Sequence, residues 1–219
     1  FCPRFDGRCL DFAAVDLNAL LWGMERFLGR AGERLGWSEA SWYAERGEQR
    51  RALMYDLLWD DERRWFYDYD AAGGRRSMVA SLSGMLPLYH TLATPEQTAA
   101  MVTRLPEFER EFGIAVTHEH PGCRSFQWAY PNAWPCMVYV TVVGLARYGY
   151  HDHAARIASK YLSVADALFE KTGRLWEKTD VETGDVAGGE YDAVPMIGWS
   201  AGTYLALHAY VEGGTFPGV

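Results

Sequence analysis

The chain has 219 residues, 49% of them apolar and 23% charged, which excludes wholesale disorder and allows one domain with a substantial core. A net charge of −8 argues against a partner rich in phosphate or an anionic membrane surface, because such partners select Lys and Arg. No apolar run reaches the roughly 18 residues of a membrane span and no signal peptide is evident, so the expectation is a soluble chain, with the cytoplasm favoured.

The predicted elements are helical almost throughout. In 16–37, Leu17, Leu20, Leu21, Met24, Leu28, Ala31 and Leu35 repeat at 3-4 spacing and predict one buried stripe, stopped by Gly36. Ser38 is expected to cap the next helix, which runs towards Trp59. Thr94, Pro95 and Gln97 form a capping box with proline in the first turn. Segment 137–145 is β-branched and uncharged, so a buried strand and a buried helix compete; without partner strands elsewhere, a helix from Pro135 to near Tyr148 is favoured. In 151–173 the apolar positions 154, 157, 158, 161, 162, 165, 168 and 169 make another stripe, with Asp152 as the expected cap and Gly173 as the stop. Helices joined by short turns read as antiparallel hairpins, in one domain covering 1–219.

Aromatic residues are abundant, with 9 Trp, 13 Tyr and 10 Phe. Such a set serves either a core of large side chains or a surface for flat, hydroxylated ligands. The stretch 127–135, QWAYPNAWP, concentrates them beside paired amides and without charge. Two further loops join aromatic rings to carboxylates: RLWEKTD (174–180) with Glu177, and GGEYDAVPMIGWSAG (188–202) with Glu190. Each glutamate alone also reads as a solvated loop residue. Together with the rings they match glycoside hydrolysis, which needs an acid, a base and stacking surfaces for sugar.

Four segments carry a resemblance to a known family. QWAYPNAWP resembles the trehalase signature Gln-Trp-Asp-x-Pro-Asn-x-Trp, and GGEYDAVPMIGWSAG resembles the Gly-rich signature of that family. AAVDLNALLW (13–22) resembles its Pro-Val-Asp-Leu-Asn-Ala segment, and LWDDERRWFYDYD (58–70) resembles its Leu-Trp-Asp and Phe-Tyr-Asp-Tyr stretch. The matches keep family order over nearly the whole chain. It is therefore similar to trehalases and to related α-glycosidases that include mannosylglycerate hydrolase (glycoside hydrolase families 37 and 63).

The resemblance implies the C-terminal portion of an (α/α)6 toroid of antiparallel helical hairpins, part of a catalytic domain that begins upstream of Phe1. A complete toroid has about 12 helices, against roughly seven read here. It implies an inverting hydrolase acting on a small α-glucoside, trehalose or a related α-glycoside, with the upstream part of the same polypeptide as partner and no cofactor. Glu177 takes the place of the catalytic base, with Thr179 where the family has tyrosine. Trp128, Trp134 and Trp199 become sugar platforms, Gln127 and Asn132 hydroxyl partners, and Glu190 a substrate-side carboxylate. Arg4 and Asn18 fall in matching motifs and join the substrate-binding set. Ala129 stands where the signature has Asp, which weakens trehalose itself as substrate. The general acid of the family falls just before Phe1, so the alternative is a catalytically inactive sugar-binding fragment or scaffold.

The remaining candidates read as structural. HEH (118–120) and HDH (151–153) lack strong metal-ligand spacing, and no metal site is expected. His90 and His208 are expected to pack between helices. Asp6 and Arg8 read as a local ion pair, and Cys2, Cys9, Cys123 and Cys136 contain no CxxC pair.

Overall fold

The computed structural model describes residues 4–5, 7–121, 126–196 and 198–216; Cys2, Asp6 and Cys123 lie outside them. Helices dominate: α1 (Val15–Leu35), α2 (Ala40–Leu53), α3 (Leu86–Tyr89), α4 (Pro95–Val102), α5 (Pro135–Arg147), α6 (His151–Thr172) and α7 (Gly198–Val211). Two-residue strands decorate the connections. β1 (Phe12–Ala13), β4 (Tyr69–Asp70) and β5 (Arg75–Arg76) form a three-stranded ribbon in the order β1-β4-β5. β2 (Trp59–Asp60) pairs with β3 (Trp65–Phe66), β6 (Glu109–Arg110) with β7 (Gly113–Ile114), and β8 (Asn132–Ala133) with β9 (Thr179–Asp180). Among the described residues no helix is long and apolar enough to cross a membrane.

Segment 137–145 is helical, and its lack of charge has a packing reason. α5 contacts α3, α6 and α7 and buries Val138, Thr141, Val142, Val143, Gly144, Leu145 and Ala146. Gly144 permits the closest approach: a Cβ there would meet Leu88 Cβ and Tyr89 N, both at 3.1 Å. α6 buries the expected stripe except Phe169, which is exposed, and ends on Gly173 in the left-handed region at φ 70°. The Thr94–Gln97 capping box is formed in both directions.

Four expectations are corrected. The large apolar residues of α1 do not form its buried face: Leu17, Leu20, Met24 and Leu35 are exposed, while Val15, Ala19, Trp22, Gly29 and Gly32 are buried. α2 packs on the small-residue face, where a Cβ on Gly32 would meet Ala40 Cβ at 2.8 Å, so backbone proximity has displaced the leucines outward. Ser38 does not cap α2; Glu39 holds the cap position without a side-chain bond, and Ser38 Oγ donates to Glu39 instead. Asp152 lies inside the first turn of α6, with Tyr150 at the cap, so it acts on the helix dipole rather than as a cap. His208 is exposed on α7, against the Tyr204 ring at 5.9 Å, rather than packed between helices.

Candidate active site

The tryptophans of two separated segments form one cluster. Trp128 and Trp134 stack at 4.0 Å and 7° between planes, and Trp199 meets Trp134 edge-on at 5.4 Å and 90°. The geometry follows local structure. β8 leads directly into α5, whose cap residue is Trp134, and Trp134 Nε1 donates to Gln127 O at 2.7 Å, closing the loop on itself. Trp199 sits in the first turn of α7; the Gly-rich segment expected as loop to residue 202 turns helical at Gly198. Trp134 is 2% exposed and Trp199 37%, so the open aromatic surface belongs to Trp199 and the half-buried Trp128, with Trp134 as the layer beneath. Ala129 is fully buried beside Phe126 and Trp128.

Glu177 is 8% exposed, two residues before β9, and β9 pairs with β8 of the tryptophan loop. Its N–H donates to Val194 O at 2.9 Å, and its carboxylate accepts the Tyr191 hydroxyl at 2.7 Å. The Tyr191 phenol is pushed up to about 12, by burial and then by the Glu177 carboxylate, so it remains a donor across the neutral range. Glu190 is exposed and accepts the Gln127 N–H at 3.0 Å. That bond, ahead of other influences, holds its carboxyl below the usual range. The β8–β9 pair, the Glu190–Gln127 bond and the ring contacts thus link Glu177, Glu190, Gln127 and the three tryptophans.

Lys178 is a residue that sequence reasoning missed. It is fully buried, donates from Nζ to Gly188 O at 3.2 Å and stands 4.2 Å from the Tyr191 ring centroid. Burial pushes its ammonium below the usual lysine range, while Glu177 and Glu190 pull it back up. It braces the two glutamate loops against each other. The available signal was a lysine beside the glutamate of the RLWEKTD segment.

A cavity of about 310 Å³ adjoins the cluster through Trp128; its wall includes Arg4, Asp16, Ser81, Ser83 and Met137. Arg4 donates to Asp68 at 2.6 and 2.8 Å and to Asp16 at 2.8 and 2.9 Å. Asp68 also accepts the Val15 N–H at 2.9 Å, tying the start of α1 to the same guanidinium. Burial would lower the Arg4 pKa, but its bonds to Asp68 and Asp16 outweigh that and raise it. Burial likewise pushes the Asp16 carboxyl up, and Arg4 more than offsets it, leaving Asp16 below the usual range.

Of the expected set, Arg4 and Trp128 line this cavity; Glu177, Gln127, Trp134, Glu190 and Trp199 lie outside its wall, and Asn18 and Asn132 hold the scaffold. Asn18 donates to Ala14 O at 2.8 Å and accepts from Arg50 at 2.8 Å, bridging α1 to α2. Asp16, in the same motif, is the side chain that lines the cavity. Asn132 is 3% exposed and donates to Phe126 O at 2.9 Å, shaping the tryptophan loop from inside. Arg8 pairs with Asp11 and Asp70. Among the described residues no group of three His, Cys, Asp or Glu side chains is placed to hold a metal ion. His151 contacts the Tyr210 hydroxyl and His153 contacts Arg156.

Comparison with known proteins adds three findings. The trehalase family model matches residues 2–211. The periplasmic trehalase of Salmonella typhimurium is 29% identical over 204 residues, covering 91% of this chain and 35% of that protein. The cytosolic neutral trehalase of Emericella nidulans is 31% identical over 206 residues, covering 81% of this chain and 27% of that protein. The chain thus spans about a third of the length of these curated relatives. Among solved structures, the neutral trehalase of Saccharomyces cerevisiae superposes with a TM-score of 0.82 at 29% identity, covering 94% of this chain and 39% of that one. The mannosylglycerate hydrolase of Thermus thermophilus superposes at 0.70 and 22% identity, over 90% of this chain and 47% of that one, and shares the fold. The helical hairpins are those of the trehalase-type toroid, and with four signatures in register and the family model matching nearly end to end, the chain belongs to the trehalase family.

Proposed function

We propose that this chain carries the base side and the sugar platform of an inverting glycoside hydrolase acting on a small α-glucoside, trehalose or a related α-glycoside. The observation that carries the reading is the Glu177 carboxylate, buried in the tryptophan-lined loop cluster and held by the Tyr191 hydroxyl. A general base needs a fixed, ionisable oxygen beside the bound substrate, and water activated there attacks the anomeric carbon from the face opposite the leaving group. Trp128 and Trp199 offer apolar surface for the sugar C–H face, and Glu190 is kept ionised to accept hydroxyl hydrogens. Substrate enters through the cavity that Arg4 and Trp128 share.

Inversion also needs a protonated carboxyl on the opposite side. Asp16, the acidic residue in the cavity wall, is held ionised by Arg4 and serves to position that guanidinium. We assign the acid to a further part of the polypeptide, packed against the exposed face of α1.

Replacing Glu177 by Gln tests the assignment. It is expected to preserve sugar affinity and to lower kcat by more than the factor of about 10²–10⁴ usual for acid–base assistance, because the water loses its only base. Turnover within a few-fold of wild type would remove Glu177 from the mechanism.

A further inference from the structure

Beyond the sugar site, a second recess lies between the middle of α1, the end of α3 and the last turn of α5. Its volume is about 250 Å³, and its wall includes Arg26, Arg30, Arg147, Phe27, His90 and Thr91. The tryptophan cluster sits at the opposite end of α5, where Trp134 caps the helix, so the two recesses are separate.

The recess gathers three arginines that meet no carboxylate among the described residues. Elsewhere Arg4, Arg8, Arg50, Arg63 and Arg104 each meet a carboxylate. Among the described residues Arg26, Arg30 and Arg147 form no such pair, although the chain as a whole carries a net charge of −8. Glu33 and Glu48 border an adjoining depression on the α2 side that shares Arg26 and Arg30.

Two of the guanidiniums are also pre-positioned. Arg26 donates to Thr91 Oγ1 at 2.8 Å and to His90 O, and stacks 5.2 Å from the Trp22 ring. Arg147 donates to Tyr89 O and stacks 4.8 Å from that ring, and its Nε is buried without a protein partner. His90 Nε2 is likewise buried and unpartnered. Gly23 on α1 admits the His90 ring, since a Cβ there would lie 2.5 Å from it. Each guanidinium carries five donors, and the protein carbonyls and hydroxyl use only a few of them.

We propose that this recess binds a phosphate group, held by Arg26, Arg30 and Arg147. Planar guanidiniums on fixed stems match a phosphate through paired hydrogen bonds, which are stronger than neutral ones. The phosphate is either free or the end of a small phosphomonoester whose organic part rests on Phe27, which is 69% exposed.

The test is calorimetric titration of the intact polypeptide with inorganic phosphate and, separately, with a hexose 6-phosphate, at low ionic strength. Arg30 is exposed, so its variants leave the core intact, and unchanged thermal unfolding serves as the folding control. Arg30→Ala is expected to weaken binding by about tenfold, the loss of one charge-assisted contact, and Arg30→Glu to abolish it. Tighter binding of the ester, lost in Phe27→Ala, would identify a phosphorylated metabolite; equal affinities would identify free phosphate. Absence of binding at millimolar concentrations, or an affinity unchanged in Arg30→Glu, would overturn the proposal.

Discussion

The Tyr191 hydroxyl is the direct support of the Glu177 carboxylate, and burial together with that carboxylate keeps the phenol protonated. Tyr191→Phe leaves the ring over Lys178 and removes only the hydrogen bond. Steady-state kinetics should therefore show kcat lowered by about tenfold, the effect of roughly one charge-assisted bond, with KM nearly unchanged. A change confined to KM would make Tyr191 a substrate contact instead. The Arg4–Asp16 pair makes a different prediction. The folded Asp16 pKa lies below its unfolded value, so the pair's stabilisation is complete above about pH 4. It is lost as the pH falls through the folded value. Urea unfolding of wild type and Asp16→Asn should show a stability difference at neutral pH that shrinks in acid. At this scale the motifs pointed to segments that the fold brings together, since the β8–β9 pair joins the Glu177 loop to the tryptophan loop. They did not reveal that Asp16 lines the cavity while Asn18 bonds Ala14 and Arg50, because a motif does not say which of two residues on one helix turn faces inward.

At the scale of elements, close helix contacts rest on glycine and alanine. Gly144 lies where α5 crosses α3, with Leu88 Cβ and Tyr89 N each 3.1 Å from a built Cβ. Alanine gains about 1 kcal/mol of helix propensity, but crowding a packed backbone contact costs about 1–3 kcal/mol. Gly144→Ala should therefore lower stability by up to about 2 kcal/mol in chemical denaturation; a more stable protein would show that α3 yields freely. The same physics explains what was legible in the elements. The boundaries of α5 and α6 followed from proline, glycine and apolar spacing, since those signals are local. The buried side of α1 did not follow, because its small residues make the tighter contact with α2. Periodicity reveals two faces and leaves open which one meets the core. Nor did the sequence locate the recess of Arg26, Arg30 and Arg147, which joins α1 to the end of α5 across a long stretch of chain.

For the whole molecule, α1 presents an open apolar surface. Leu17, Leu20 and Met24 are all exposed on it, an apolar patch of the kind that marks a contact surface. In the proposed arrangement the rest of the polypeptide covers this face and brings the acid opposite Glu177. The central claim is that water activated by Glu177 attacks an α-glucosidic bond from the far side. The most direct test is proton NMR of the sugar first released from trehalose or a related α-glucoside by the intact polypeptide, recorded before mutarotation. The account predicts β-glucose as the first product of wild type and none from Glu177→Gln. An initial α-anomer, or unchanged release by Glu177→Gln, would contradict it.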